Sequence, residues 1–260
     1  MAVALGPAAN RDIWIVDVAR ATATRFTFDR GRDDDPVWSP DGKSIVFNSE
    51  RAGRVDLYIK PTDASGEERL LFSSDESKAP TSWSKDGRYL VFSSYSTKTG
   101  SDLWALPMKG EAKPISLLRT PVSESAGQLS PDGRWIAYVS PESGIVEVYV
   151  RPFSPTAGAG ASGGKWLVSK GAGLFPRWRA DGRELFYTSL DLEQMAVDID
   201  TSKGFQAGTP RRLFLAPPPL LDVGWDLAPD GKRFLFVSEP GGSHTVPFTV
   251  VLNWQAGLRQ

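Results

Sequence analysis

Short runs of apolar residues recur along the chain at a nearly constant distance. The five runs are residues 45–47, 90–92, 136–138, 185–187 and 234–236. Each is followed by a segment in which polar and apolar positions alternate. A strand covered on both faces reads as a continuous apolar run, whereas a strand nearer solvent alternates with a period of two. The pattern therefore predicts repeated groups of short strands, and no helical period of 3.6 extends over ten or more residues.

A tight turn containing Asp-Gly precedes each apolar run. The five pairs are Asp41-Gly42, Asp86-Gly87, Asp132-Gly133, Asp181-Gly182 and Asp230-Gly231, with aspartates 45, 46, 49 and 49 residues apart. Aspartate can bond the backbone ahead of it, and glycine accepts the left-handed conformation that closes a hairpin. A large apolar residue stands three positions before each aspartate, at Trp38, Trp83, Leu129, Trp178 and Leu227. Five copies indicate a structural role, because a single active site would use only one of these carboxylates.

A repeat of this length with several strands predicts a β-propeller, in which four-stranded antiparallel blades surround an axis. We predict an all-β protein with five complete Asp-Gly repeats and an amino-terminal half-blade. One propeller domain spans residues 12–254, after a mobile start over 1–11 and before a tail over 255–260. The strand tally leaves two alternatives: a five-bladed ring with a surplus strand, or the carboxy-terminal piece of a longer propeller. The start in the middle of a repeat favours the second.

Composition narrows the class of function. The 260 residues have a net charge of −1 without a block of Lys and Arg, which argues against nucleic-acid and anionic-membrane binding. The absence of cysteine excludes disulfides and thiolate chemistry. No apolar run is long enough to cross a bilayer, and the first residues lack the pattern of a signal peptide.

Candidate catalytic motifs have simpler explanations. Residues 160–164 fit Gly-x-Ser-x-Gly around Ser162, but they lie in a Gly-, Ala- and Ser-rich loop without the helix that a nucleophile elbow requires. His244 is the only histidine and is expected at an exposed hairpin tip. The run Asp33-Asp34-Asp35 lacks the spacing of a calcium loop and is interpreted as a solvated turn. We therefore predict no catalytic residue, metal or cofactor.

The repeat resembles the TolB-like, WD-repeat-like β-propeller family over residues 12–254. The resemblance rests on Pro-x-Trp-Ser-Pro-Asp-Gly, the apolar triplet and the later Asp-Leu-Tyr, as in Asp56-Leu57-Tyr58. A narrower resemblance, carried by residues 102–107, 118–121, 147–153, 164–166 and 250–254, is to the carboxy-terminal propeller of bacterial receptor-type Ser/Thr kinases. It implies an extracytoplasmic (periplasmic) domain tethered to a kinase domain outside this chain, since no kinase motif occurs here.

Binding is the function that these observations favour. In such propellers the loops before the first strands are expected to line one mouth of the central channel; here they are residues 29–35, 73–80, 119–127, 170–176 and 216–224. Arg119, Arg177, Arg179 and Asp226 are the polar candidates at this rim for contact with a protein or small-molecule ligand. The main hypothesis is a non-catalytic sensing propeller of a kinase. The alternatives are a TolB-like periplasmic interaction scaffold and the gating propeller of a prolyl-oligopeptidase-type hydrolase.

Overall fold

The structure, a computed structural model, describes residues 1–63, 66–111, 113–157, 163–217, 225–228, 230–237 and, as backbone, 248–251. Within these residues the regular elements are strands, apart from the short 3-10 helix Pro155–Ala157. None of the described residues belongs to a helix long and apolar enough to span a membrane. The chain divides into two units. Unit 1 is Met1–Gly127 with Ser154–Ala161, and unit 2 is Gln128–Phe153 with Ser162–Gln260.

Unit 1 begins with a three-stranded antiparallel sheet of β1 (Ala2–Leu5), β2 (Asp12–Asp17) and β3 (Thr22–Arg25), in that order. Within residues 1–11, expected to be a mobile start, Ala2–Leu5 forms a strand that pairs along its length with β2. Val3 is buried, and Ala2 and Ala4 pack against the cluster around Ile13. Apolar contact orders this short segment, which was too brief to show a period in the sequence.

Two four-stranded sheets complete the blades of unit 1, each with its strands in chain order. The first contains β4 (Asp33–Trp38), β5 (Ser44–Ser49), β6 (Asp56–Pro61) and β7 (Arg69–Phe72). The second contains β8 (Ser77–Trp83), β9 (Tyr89–Ser96), β10 (Gly100–Pro107) and β11 (Ile115–Leu118). The Asp-Gly turns join β4 to β5 and β8 to β9.

Unit 2 holds the remaining three sheets, and its boundary with unit 1 falls inside β12. The first sheet contains β12 (Ser125–Leu129), β13 (Trp135–Ser140), β14 (Glu147–Pro152) and β15 (Trp166–Leu167). The next contains β16 (Leu174–Trp178), β17 (Glu184–Thr188), β18 (Glu193–Asp200), β19 (Gln206–Ala207) and β20 (Arg211–Leu215), with β19 and β20 both paired to β18. The last contains β21 (Trp225–Leu227), β22 (Phe234–Val237) and β23 (Phe248–Val251).

The apolar runs supply the core, as their pattern predicted. In unit 1, Val46, Leu90 and Phe92 pack together with Leu57 and Leu106. In unit 2, Phe186, Phe234 and Phe236 pack with Trp225, largely edge to face or tilted. Complete burial of a side chain of this size contributes about 1.5–3 kcal/mol. The predicted all-β propeller of small antiparallel sheets is confirmed.

Hydrogen bonds explain why the Asp-Gly turn is repeated. Ser39 Oγ donates to Asp41 Oδ1 (2.6 Å), which also accepts from the N–H of Lys43 (3.1 Å). Ser39 Oγ in turn accepts from the N–H of Ser44 (2.9 Å). The same three bonds recur around Asp86 and around Asp132. The N–H of Arg88 and the hydroxyl of Ser84 lower the pKa of Asp86 to about 2, so this carboxylate is ionised near neutral pH.

The glycine of each turn has a positive φ, and Gly42, at φ 71°, has open space where a Cβ would stand. Gly42→Ala therefore tests conformation without a steric clash, and we expect it to cost about 1 kcal/mol of unfolding free energy. The matched variant Gly42→Asn should cost less, because asparagine tolerates this region better. Urea denaturation measures both. An Asn variant no more stable than the Ala variant would contradict this explanation of the turn.

Candidate functional site

The antiparallel strands give each sheet two different edges. By edge we mean a row of strand ends and not an outer strand. The first strand starts at one edge and ends at the Asp-Gly turn on the other. The second strand therefore ends, and the third begins, beside the start of the first. We call the edge at the starts of the first strands the lead-in edge, and the edge carrying the Asp-Gly turns the turn edge. The two edges use their polar side chains differently.

One backbone hydrogen bond attaches each of four first strands to the sheet before it. The donor is the N–H five positions before the Trp or Leu that precedes the Asp-Gly turn. The acceptor is the carbonyl just before the acidic residue at or near the start of the third strand of the preceding sheet. The pairs are Asp33 to Arg11 (2.8 Å), Lys78 to Val55 (3.2 Å), Glu124 to Ser101 (2.6 Å) and Gly173 to Val146 (2.9 Å). This bond fixes the lead-in edge, and no pattern in the sequence indicates it.

A buried acid follows the acceptor carbonyl in four sheets, at Asp12, Asp56, Asp102 and Glu147. Because a buried carboxylate needs a partner, each has one: Arg25 Nη2 for Asp12 (2.7 Å), Lys78 Nζ for Asp56 (2.7 Å), Thr99 Oγ1 for Asp102 (2.7 Å) and Ser143 Oγ for Glu147 (2.7 Å). The recurring Asp or Glu before an apolar pair was visible in the sequence. Its burial was not.

The Lys78–Asp56 pair is the most enclosed of these. The Lys78 side chain has no exposed surface, and its Nζ also donates to the carbonyls of Ser74 (3.2 Å) and Glu76 (2.5 Å). Burial tends to raise the pKa of Asp56, but Lys78 and Ser73 outweigh it, and the pKa is lowered. The pair therefore joins β8 to β6 as a charged, hydrogen-bonded contact.

The acidic run Asp33-Asp34-Asp35 is not a solvated turn, because it forms the start of β4. Asp33 is fully buried and pairs with Arg51 Nη2 (3.1 Å). Asp34 is also buried and pairs with Arg11 (3.6 Å) and Arg32. Arg51 and Arg11 are distant from the run in sequence, so inspection of the run alone could not assign them. Of the three residues, only Asp35 is exposed.

Asp35 occupies an irregular point of β4. It has φ 51°, and the register with β5 shifts between Asp34 and Val37. Ala126 and Phe175, three positions before Leu129 and Trp178, have the same positive φ of 53°. A bulge of this kind changes the direction of a side chain, and left-handed non-glycine residues are concentrated at functional sites. Three of the first strands therefore share a left-handed residue at this position, and β4 places an aspartate there.

The surroundings of Asp35 hold its carboxylate in one position. Asn48 Nδ2 donates to Asp35 Oδ2 (3.0 Å) and to the carbonyl of Lys78 (3.1 Å), while Asn48 Oδ1 accepts from the N–H of Asp34 (3.1 Å). Dense protein surroundings and then the negative charge of Asp34 raise the pKa of Asp35 to about 6, against the opposing effects of Asn48, Arg32 and Arg11. Burial and the charge of Asp35 raise the pKa of Tyr95, although half of that residue's surface is exposed.

The structure separates the four rim residues predicted from the sequence. Arg119 follows β11 in unit 1, half exposed, with Nε 3.7 Å from Asp102 Oδ2 and its guanidinium 6.0 Å from the ring centre of Trp104. Arg177 and Asp226 meet in unit 2, with Nε 3.6 Å from Oδ1. The placement of Arg179 at the rim is wrong, because it follows the end of β16 and lies in the turn edge. Arg119, Arg177 and Asp226 keep their predicted role as proposals.

Arg179 takes the place of the serine found in the first three turns. Its Nε and Nη2 each donate to Asp181 (2.8 Å), which lowers the pKa of that carboxyl to about 2. Its Nη1 also contacts Glu184, which a second arginine, Arg211, contacts from β20. The chain of Arg179 lies so close to Gly231 that a Cβ there would meet its Cγ at 2.8 Å. The Arg179 side chain therefore contacts two successive Asp-Gly turns, those of Asp181 and of Gly231.

A cleft of about 790 Å³ opens at this turn edge of unit 2, between the Asp132 turn and β18. Its charged lining is engaged internally. Arg134 contacts Asp132 (2.7 Å) and Thr201 Oγ1 (3.0 Å), while Arg179 is held as described. The arginines of the lining are thus engaged in ion pairs and hydrogen bonds with neighbouring groups. The packing of the turns accounts for the cleft, and its lining residues do not include an activated acid, base or nucleophile.

The described residues contain no group of three or more His, Cys, Asp or Glu able to hold a metal ion. Ser162, of the Gly-x-Ser-x-Gly match, and His244 lie outside the described residues. The predictions for them therefore stay predictions, as does the part of the rim at 218–224.

Comparison with known proteins supports the fold. Residues 1–104 match the family model described as the TolB beta propeller domain. TolB from Acinetobacter baumannii superimposes with a TM-score of 0.75 at 18% identity, covering 97% of this chain and 60% of that one. The fold is that of a TolB-like β-propeller. At this identity the structural likeness concerns the fold alone.

Two curated relatives match shorter segments. An uncharacterised protein of Agrobacterium fabrum is 38% identical over 84 residues, which is 32% of this chain and 28% of that protein. The uncharacterised peptidase YuxL of Bacillus subtilis is 35% identical over 81 residues, which is 31% of this chain and 12% of the peptidase. The matched segments thus span under a third of either relative.

The buried pair at the lead-in edge gives a direct prediction. Lys78→Met leaves Asp56 buried without its cation, and we expect a loss of about 3–5 kcal/mol of unfolding free energy, measured by chemical denaturation followed through tryptophan fluorescence. Lys43→Met, at an exposed lysine, should change stability by no more than about 0.5 kcal/mol. The double variant Lys78→Met/Asp56→Leu should recover at least half of the loss. A double variant as unstable as Lys78→Met would contradict the pairing.

Proposed function

We propose that this chain is a non-catalytic, protein-binding propeller and that its partner contacts the lead-in edge of unit 1. The observation that carries the proposal is the contrast between the two edges. At the turn edge, similar hydrogen bonds recur from blade to blade. At the lead-in edge, a fixed backbone displays side chains that differ between blades, including the exposed ring of Tyr95 and the carboxylate of Asp35.

The likeness to TolB supports an interaction scaffold in preference to a catalyst, and binding residues commonly lie on loops held by a rigid framework. In the finer form of the proposal, the propeller lies outside the cytoplasm, in the periplasm. It is either a TolB-like scaffold or the sensing part of a receptor-type Ser/Thr kinase whose kinase domain is outside this chain. The kinase form rests on the sequence resemblance described above.

A gating propeller of a hydrolase is a second candidate, because one matching relative is a peptidase of which this chain covers only 12%. In that case the catalytic Ser, Asp and His would belong to a separate domain. The intact reading frame distinguishes the forms: a hydrolase domain supports the gate, a kinase domain with a membrane helix supports the sensor, and neither favours the scaffold.

Partner capture tests the binding surface. The immobilised chain is exposed to an extract of the source cells, and bound proteins are identified by mass spectrometry. We expect the lead-in variant Arg54→Ala/Tyr95→Ala/Arg119→Ala to lose the partner bound by the unaltered chain, since these three residues are about half exposed at that edge. Loss by roughly tenfold or more is expected when several interface contacts are removed together.

The matched control is the turn-edge variant Lys43→Ala/Lys85→Ala/Lys109→Ala, which removes three exposed lysines of the same unit. It should retain the partner. Equal loss in both variants, or loss in the turn-edge variant alone, would contradict the assignment to the lead-in edge.

A further inference from the structure

Three consecutive carboxylates at the start of β4 have unequal partners. The side chains of Asp33 and Asp34 are both buried and are neutralised by arginines of this chain, as described above. Asp35 is exposed and makes no ion pair with any described residue; its hydrogen-bond partner is the neutral amide of Asn48. Two of the three carboxylates are therefore ion-paired within the chain, whereas the third belongs to an exposed residue and has a neutral hydrogen-bond partner.

The position of Asp35 is determined before any ligand arrives. Asn48 uses both ends of its amide, so its orientation is fixed, and it aligns Asp35 Oδ2. Pro36 follows directly and removes one backbone freedom. The other oxygen, Oδ1, accepts no hydrogen bond from the described residues. A carboxylate held in this way loses little side-chain entropy when a ligand binds.

Tyr95 lies close enough to Asp35 for the charge of that carboxylate to raise the pKa of its hydroxyl. Asn48 connects Asp35 to the carbonyl of Lys78, and the neighbour of Lys78, Ser77, is directly opposite Tyr95 in the pairing of β8 with β9. Half of the surface of Tyr95 is exposed, and its hydroxyl makes no hydrogen bond with a described residue. An aromatic ring and a carboxylate that makes no ion pair with the described residues thus occupy the same part of the lead-in edge.

We propose that Asp35 and Tyr95, held by Asn48, form a binding site for the guanidinium group of an arginine side chain supplied by the partner protein. The inference rests on the proposed function and names the chemistry of the partner. A guanidinium donates two parallel hydrogen bonds to one carboxylate and stacks its flat face on an aromatic ring. Here Asp35 supplies the carboxylate and Tyr95 supplies the exposed ring.

Other cations fit less well. A lysine ammonium is a compact charge that uses neither the planar geometry nor the ring to the same extent. A divalent metal would need several oxygen ligands, and the neighbouring carboxylates of Asp33 and Asp34 already serve arginines. A single carboxylate without an ion pair matches a single monovalent guanidinium.

The test is a titration of the ¹⁵N-labelled full chain with the capped tripeptide Gly-Arg-Gly, followed by amide chemical shifts. We expect binding in the millimolar range, with shifts centred on β4 and the end of β9, since one ion pair supplies only a modest affinity. The peptide with citrulline, which has the same shape without the charge, should bind roughly tenfold more weakly. Gly-Lys-Gly should also be weaker. Equal binding of either control peptide would overturn the guanidinium assignment.

Variants locate the site. Asp35→Asn keeps the hydrogen bond to Asn48 in size and shape and should reduce binding of the arginine peptide about tenfold, as should Tyr95→Ala to a lesser degree. The control Asp75→Asn changes an exposed carboxylate of the same unit and should leave binding unchanged. Unaltered binding by Asp35→Asn, or equal loss in Asp75→Asn, would contradict the proposal. Chemical shifts away from the site verify that each variant is folded.

A pH series gives a readout that a structural role would not produce. The carboxylate of Asp35 gains a proton as the pH falls through its pKa of about 6, so binding should weaken from about pH 7 to about pH 5 in the unaltered chain and stay flat in Asp35→Asn. The charged groups around it are Asp34, Arg32 and Arg11, with Lys78 engaged by Asp56. If the peptide fails to bind while the lead-in variant still loses its captured partner, this inference falls and the proposed function stands.

Discussion

The first strand of a blade is held at its start by a hydrogen bond to the preceding sheet, and much of the local chemistry follows from it. The N–H of Asp33, Lys78, Glu124 or Gly173 must reach a carbonyl at the base of the earlier third strand. The side chain of the residue that donates this hydrogen bond is therefore buried, as in Asp33, Lys78 and Glu124. A charged residue there requires a partner: Arg51 for Asp33 and Asp56 for Lys78. At Gly173, neighbouring atoms leave no room for a Cβ, with Ser169 at 2.8 Å.

The same constraint explains why the next residues differ in accessibility. Once the fifth position before Trp38 is buried and paired, the chain must bulge to regain its register with β5, and Asp35 takes the left-handed conformation at that point. Asp35 is an exposed residue at this bulge, and Asn48 limits the movement of its carboxylate. A structural requirement between sheets thus produces an exposed and oriented acidic group. The turn edge does not display a carboxylate in the same way, because its aspartates accept hydrogen bonds from hydroxyl, amide or arginine donors of the same turn.

The sequence predicted those features that depend on local pattern. The apolar triplets identified the second strands and much of the core, and the Asp-Gly spacing identified the blades. Features that depend on contacts between distant residues were missed or misplaced. Ala2–Leu5 is ordered by pairing with β2, and the run at Asp33 was interpreted as solvated because Arg51 and Arg11 gave no sign of proximity. Arg179 was assigned to the rim from its position near a loop, yet the direction of β16 carries it to the opposite edge.

One measurement tests directly whether the partner binds at the lead-in edge and not at the turn edge. It is photocrosslinking in the source cells from a photoreactive phenylalanine analogue placed at position 95 or at position 85. Tyr95 belongs to the lead-in edge, and Lys85 is an exposed residue of a turn in the same unit. We expect a discrete crosslinked partner from position 95 and none from position 85. A partner crosslinked from position 85 alone, or equally from both positions, would contradict a recognition surface at the lead-in edge.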